Sequence, residues 1–139
     1  MSTTSQGKTP IVLAYSGGLD TSFLVPWVAE NTGRPVITVT VDTGGIDADA
    51  AKTLAERSKA LGAIAHHQID AKPAYFEQVL QFLIMGNVRR GNLYPLCVGA
   101  ERVMQAQTMA RVARELGSDM IAHGCTAAGN DQVRFEVAL

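Results

Sequence analysis

Little in this chain points to export, membrane insertion or a polyanionic partner. Only two cysteines, Cys97 and Cys125, occur in 139 residues. That is too few for a disulfide framework or a cysteine metal quartet. Charge is sparse and balanced, with 18% charged residues and a net charge of −1. This leaves no strong basic field for nucleic acid or an anionic membrane surface. No apolar run is long enough to span a bilayer. Residues 1–9, MSTTSQGKT, are polar, are expected to be flexible, and lack the apolar stretch of an export signal. With ordinary thiols, the cytoplasm is the default location. Hydrophobic residues still make up 47% of the chain. Disorder is therefore expected only at the ends, and the length suits one domain with a real core. The chain stops in RFEVAL, Arg134 to Leu139, whereas domains usually finish in solvated residues. Either a last helix packs on the core or the chain is part of a longer protein.

Strand-like and helix-like segments alternate. Pro10–Tyr15 (PIVLAY), the β-branched Val36–Val41 (VITVTV), Ala63–Ile69 and Ser118–His123 read as strands. Ser22–Asn31 reads as a helix with Phe23, Leu24, Trp27 and Val28 inward, and Pro26 predicts a kink or an early stop. Asp47–Leu61 reads as a helix closed by Gly62. Asp70 reads as the N-cap of a helix that carries Pro73, Tyr75, Phe76, Val79, Leu80, Leu83 and Ile84. Gly86–Leu96 reads as a polar connection, and Glu101–Leu116 as a long helix ended by Gly117. Gln132–Leu139 begins a further element. Such alternation calls for an α/β fold, a twisted parallel sheet with helices on both faces and right-handed crossovers. Ligands of such sheets bind at the carboxyl ends of the strands. The loops Ser16–Ser22, Asp42–Gly45 and Gly124–Asn130 all follow strands, so they should meet on one edge.

The first loop has the chemistry of a phosphate site. In AYSGGLDTS, Ala14 to Ser22, Gly17 and Gly18 let the backbone turn and approach a ligand closely. The helix that follows offers unpaired N–H groups and the positive end of its dipole. Ser16, Thr21 and Ser22 add hydroxyls. Asp20 either caps the helix or helps hold a magnesium ion carried by the phosphates. Neither the G-x-x-x-x-G-K-[ST] loop nor the G-x-G-x-x-G fingerprint is present.

The motif SGGLDTS resembles the pyrophosphatase-type loop of ligases that cleave ATP to AMP and pyrophosphate, and AYSGGLDTS is most similar to that of the argininosuccinate synthases. Ala122–Glu136, AHGCTAAGNDQVRFE, resembles the segment HGCT-x-x-GNDQVRFE of the same family. Asn92–Leu96, NLYPL, resembles its Tyr-Pro-Leu segment. The resemblance implies the adenine nucleotide alpha-hydrolase-like, Rossmann-like fold. It also implies an activity. The ureido oxygen of citrulline attacks the α-phosphorus of ATP, pyrophosphate leaves, and the amine of aspartate displaces AMP from citrullyl-AMP to form argininosuccinate, a step of arginine biosynthesis and the urea cycle. ATP with Mg2+ is then a substrate, and no covalent nucleophile is required. Under the resemblance, Ala14, Tyr15, Ser16, Gly17, Gly18, Leu19, Asp20, Thr21, Ser22, Val41 and Gly124 match ATP contacts. Thr126, Asn130 and Asp131 match aspartate contacts. Tyr94, Gly99, Asn130 and Arg134 match citrulline contacts, with Arg134 as a fork for the carboxylate. No resident metal, nucleic acid or membrane is implied. The resemblance further implies a nucleotide-binding domain over residues 10–139, a second synthetase domain, a C-terminal oligomerisation segment and a homo-oligomeric full-length protein. The chain alone is then expected to bind ATP without completing the reaction. The other readings are another ligase of this fold, such as a tRNA-modifying enzyme, and a nucleotide-binding module without catalysis.

The chain departs from the family pattern at three points. Cys97, Val98 and Gly99 follow Tyr-Pro-Leu where a small residue and Thr-Ser are usual, so Gly99 replaces a citrulline-binding serine; either its backbone N–H is the substitute donor or the citrulline end is built differently. Ala127 and Ala128 replace a common Gly-Lys, and Asp42–Gly45 replaces an Asn-Ile-Gly type of loop. Elsewhere bland readings prevail. Cys125 reads as a packed thiol. His66 and His67 face opposite sides of a strand, one buried and one exposed. His123, at the end of the fourth strand, has the better claim to the active edge, with a structural role the equal alternative. Arg89 and Arg90 read as a solvated turn, Glu115 and Asp119 as solvated surface, and Tyr75, Phe76, Met104 and Met109 as core.

Overall fold

The computed structural model describes residues 8–126 and 129–139. Met1–Gly7, most of the expected flexible start, and the Ala127-Ala128 departure lie outside the described residues. Lys8 and Thr9 are tied down, because Lys8 Nζ donates to the Thr32 carbonyl at 3.3 Å and Arg34 Nε donates to the Thr9 carbonyl at 2.7 Å.

Four parallel strands form the sheet: β1 (Ile11–Ala14), β2 (Val36–Asp42), β3 (Ala65–Asp70) and β6 (Ile121–Ala122), in the order β3-β2-β1-β6. The fold class is as expected. The chain first moves outward from β1 to β3 through α1 (Leu19–Thr32) and α2 (Ala48–Ala60). It then returns to the other side of β1 through α3 (Lys72–Tyr75), a π-helical turn at Phe76–Leu80, α4 (Gln81–Met85) and α5 (Cys97–Glu115). Right-handed crossovers in opposite directions put their helices on opposite faces. Ile11, Leu13 and Tyr15 of the first strand region accordingly pack with Val25 and Val28 of α1 and with Leu54 of α2. Val12, Val39 and Val41 face the other way, against Ala106, Met109 and Val112 of α5 and Phe135 of α6 (Asn130–Ala138). Each fully buried aliphatic side chain contributes about 1.5–3 kcal/mol, as an upper estimate.

Several local expectations change. Pro26 neither stops nor shortens α1, which runs 14 residues through it; packing of Val25 and Val28 outweighs the one lost hydrogen bond. The inward stripe is Thr21, Leu24, Val25 and Val28, while Phe23 and Trp27 point outward. Asp70 is not the N-cap of α3, which is Ala71; its carboxylate instead accepts from Lys72 N at 3.0 Å. The π-helical turn rotates the apolar stripe, so Tyr75 is buried but Phe76, Phe82 and Ile84 are exposed. Within Gly86–Leu96, Arg89–Arg90 (β4) and Tyr94–Pro95 (β5) pair antiparallel. The long helix starts four residues earlier than expected, at Cys97, and β6 is shorter than Ser118–His123. His66 and His67 are both half-buried. Asp119 is not simply solvated, since Arg34 and Thr9 both donate to it.

Gly62 and Gly117 close α2 and α5 as read from the sequence. Both have positive φ, and the residue after each donates back into the helix, Ala63 N to Ser58 O at 3.2 Å and Ser118 N to Ala113 O at 2.8 Å.

Candidate functional site

Because strand order reverses between β1 and β6, the loops after these strands splay apart and leave a crevice. That crevice is an open cleft of about 640 Å³ at the carboxyl ends of the strands. Ser16, Asp20 and Thr21 form one wall, Val41 and Thr40 the floor, and Thr126, Asn130, Asp131 and Arg134 the opposite wall. Gly124 joins the walls. A Cβ there would lie 3.0 Å from Thr21 Cγ2 and 3.5 Å from Leu24 Cδ1, so the loop after β6 packs directly on α1.

Local chemistry shapes the phosphate-type loop. Gly17 has φ +74°, and a Cβ on it would sit 2.3 Å from Leu54 Cδ2 of α2. Arg57 Nη1 donates to its carbonyl at 2.9 Å. Thr21 Oγ1 donates to the Gly18 carbonyl at 3.3 Å and lies 3.2 Å from Ser16 Oγ, which ties the loop across its mouth. Gly18 is the N-cap of α1, and the first intrahelical bond is Ser22 N to Gly18 O at 3.0 Å. The N–H groups of Leu19, Asp20 and Thr21 therefore have no intrahelical partner and suit an anion. Asp20 lies in the first turn and does not cap, contrary to one of its two readings. Its carboxylate lines the cleft, where it suits a magnesium ion held mainly by phosphates and water. Among the described residues no cluster of three or more His, Cys, Asp or Glu side chains is arranged to hold a metal.

The other wall is built by α6 and the start of α5. Asp131, in the first turn of α6, accepts from Arg134 Nη1 at 2.9 Å and from Arg102 Nε at 3.2 Å. Burial pushes the Asp131 carboxyl up, but the hydrogen bonds from Arg102 and Arg134 outweigh it and hold its pKa below the ordinary value. Gly99 lies in the first turn of α5, where its N–H has no intrahelical partner. A Cβ on Gly99 would be 3.5 Å from the Arg134 guanidinium. The Gly99 backbone thus adjoins Arg134.

Most sequence-assigned residues converge. Ala14, Tyr15, Ser16, Asp20, Thr21, Val41, Tyr94 and Gly124 border the cleft, as does the Asn130 to Arg134 turn. Five are not among the bordering residues: Gly17, Gly18, Leu19, Ser22 and Gly99. Leu19 is 87% exposed and points away. Ser22 turns toward the Tyr15 hydroxyl, at 3.5 Å. Gly18 offers only its backbone. Cys125 is half-buried, and burial and nearby Asp131 push its thiol pKa up, which suits a packed thiol rather than a nucleophile. His123 lines the cleft, stacks obliquely on Phe135 with centroids 5.4 Å apart, and accepts from Cys125 N at Nδ1.

The sequence reading missed Arg102 and Gln105, which both border the cleft. A signal was present. Glu101, Arg102 and Gln105 are polar at one-turn spacing, beside the buried stripe of Met104, Ala106 and Met109.

The comparisons agree with this architecture. Residues 10–139 match the family described as Arginosuccinate synthase N-terminal HUP domain. An argininosuccinate synthase of Pyrobaculum aerophilum is 46% identical over 96% of this chain and 33% of its own length. Those of Xanthomonas axonopodis pv. citri and Pyrococcus furiosus are 42% and 43% identical over 97% and 93% of the chain, and 32% and 31% of their own lengths. The chain thus spans about a third of these curated relatives. The solved NAD+ synthetase of Burkholderia pseudomallei shares the fold, with a TM-score of 0.50 at 16% identity over 93% of this chain and 57% of its own. The sheet, the cleft at its switch point and the match over residues 10–139 lead to one assignment: the chain belongs to the argininosuccinate synthase family, in its N-terminal HUP domain.

Proposed function

We propose that this chain is the ATP-binding domain of an argininosuccinate synthase, a ligase that forms a C–N bond. Mg-ATP binds with its pyrophosphate end at Ser16–Ser22, where the N–H groups that open α1 stabilise the charge developing on the leaving group. The ureido oxygen of citrulline attacks the α-phosphorus, and the bond to the β-phosphate breaks. The amine of aspartate then attacks the ureido carbon, and AMP leaves. Thr126, Asn130 and Asp131 hold aspartate, while Tyr94, Gly99, Asn130 and Arg134 hold citrulline. Arg134 must leave Asp131 partly free to grip a substrate carboxylate. The chemistry is positioning and electrostatics throughout. In the whole protein a second domain completes the amino-acid pockets, and the assembled enzyme is a cytoplasmic homo-oligomer.

One observation carries the reading: a phosphate-type helix start and an Arg–Asp wall face each other across a single cleft. Amide chemical-shift mapping tests it. Mg-ATP should shift Ala14–Ser22, Val41 and Gly124. L-aspartate should then shift Thr126, Asn130 and Asp131, and L-citrulline should shift Tyr94, Gly99 and Arg134. Shifts with ATP but with neither amino acid would make the chain a bare nucleotide module. An absence of ATP shifts would remove the proposal altogether.

A further inference from the structure

Beyond the cleft walls, a continuous line of hydrogen bonds crosses the start of α5. Thr43, in the loop after β2, donates its hydroxyl to Glu101 Oε1 at 2.5 Å. Gln105 Nε2 donates to the same oxygen at 3.2 Å, and Arg102 Nη1 donates to Gln105 Oε1 at 3.0 Å. Arg102 Nε then donates to Asp131, which also accepts from Arg134. The Arg102 guanidinium lies 3.7 Å from the second Glu101 oxygen. Neither Thr43 nor Glu101 borders the cleft. The line therefore runs behind the site, from the strand end that carries Val41 to the Arg–Asp wall.

Both ends of the line are set for exchange. At one end, Asp42 is buried and accepts from Gly44 N at 2.9 Å, while Gly44 and Gly45 both have positive φ. The loop thus has a defined shape, and the Thr43 hydroxyl is its link to α5. At the other end, a single carboxylate is shared by two guanidiniums. A substrate carboxylate that takes Arg134 leaves Asp131 to Arg102. Arg102 is then drawn toward Asp131 and away from Glu101, which frees the Glu101 carboxylate to hold Thr43 more firmly.

We propose that Glu101 is a positioning residue that couples the two halves of the cleft. Through Thr43 it orders the loop beside the nucleotide, and through Gln105 and Arg102 it orders Asp131 and Arg134. Nucleotide and amino acid then raise each other's affinity, by the same factor in each direction. The assignment of the two ligands rests on the function proposed above.

The test is a titration of the 139-residue chain with L-citrulline, the ligand assigned to Arg134, by amide chemical shifts, with and without saturating Mg-ATP. The wild-type chain should bind citrulline about fivefold more tightly with nucleotide present, at the low end of typical coupling. Thr43→Val and Glu101→Gln should bring that ratio close to one, while ATP alone still shifts Ala14–Ser22. Thr43→Ser keeps the hydroxyl and should restore the ratio. Loss of the ratio in Thr43→Ser overturns the proposal whether or not the harsher variants fold. Binding of both ligands without coupling in the wild type, or coupling that survives Thr43→Val and Glu101→Gln, overturns this proposal and leaves the proposed function standing. Failure of the wild type to bind ATP overturns both.

Discussion

Gly17 illustrates how one residue serves the site. Its positive φ disfavours any side chain, and an added Cβ would also have to displace the end of the Leu54 side chain. Gly17→Ala should therefore destabilise the chain by about 1–3 kcal/mol. It should also weaken Mg-ATP binding by about tenfold, the equivalent of about 1.4 kcal/mol. Gly18→Ala is the control. Gly18 has φ −72°, and its added Cβ would meet only Ser16 Oγ, at 3.4 Å. That variant should cost about 0.5–1 kcal/mol, the penalty of a poorer N-cap. Calorimetric melting and ATP titration of the two variants check the contrast. Equal losses in both would show that the positive φ at Gly17 does not matter.

At the scale of elements, α3 is clipped to the end of β2. Lys72 Nζ donates to the buried Asp42 carboxylate at 2.5 Å and lies 3.2 Å from Asp70, and Ala71 N donates to the Asp42 carbonyl at 2.8 Å. The hydrogen bond to Asp42, followed by that to Asp70, raises the Lys72 pKa above its ordinary value. A raised folded pKa stabilises below the ordinary lysine value and is lost only as pH rises through the folded one, so the clip holds throughout the neutral range. Lys72→Met leaves a buried carboxylate with the Gly44 N–H and little else. Its melting temperature should fall, and amide exchange at Asp42–Gly45 should speed up more than exchange in β1. An unchanged melting temperature would show that water replaces the ammonium at no cost.

On the acid side of neutrality the whole molecule carries a pH dependence in two separate windows. His66 lies between β2 and α2, where Thr38 Oγ1 is 2.8 Å from its Nδ1 and Ser58 Oγ is 2.5 Å from the same hydroxyl. Among the described residues, its buried Nε2 has no hydrogen-bond partner. Burial lowers the His66 pKa, with Gln68 opposing this in part. The unfolded chain then takes up the proton first as pH falls through about 6.5, so folded stability declines on that side. Asp119 and Asp131 are held below the ordinary carboxylate value, the first mainly by its hydrogen bond from Arg34. Their contribution is present above the unfolded value and is lost below about pH 4. The urea midpoint should therefore fall between about pH 7.5 and about pH 5.5, and fall again below about pH 4. His66→Gln should flatten the first decline and leave the second. A first decline of undiminished size in that variant would assign it to another group.

At this same scale, the sequence by itself determined the alternation of strands and helices, the parallel sheet, the phosphate-type loop and the two glycine stops at Gly62 and Gly117. These follow from hydrophobic period and from backbone demands that neighbouring residues alone impose. It also carried most of the cleft, because Ser16–Ser22, Val41 and Gly124–Arg134 lie in short segments next to strand ends. Only the tertiary structure decided the rest. Pro26 stays within α1 because burial of its neighbours outweighs a local penalty. Phe76 turns outward because a π-helical turn shifts the stripe. Arg102 and Gln105 reach the cleft because α5 packs on the face of the sheet against Val39 and Val41 and brings its first turns to the cleft. Asp131 and Arg134 meet as a pair, and Arg102 joins them from 29 residues away. Short-range periodicity records which face of an element is apolar, but not which distant side chain will stand opposite it. That is set by the order of the strands, and it brought the loops after β1 and β6 into one site while the Asp42–Gly45 loop stayed outside its lining.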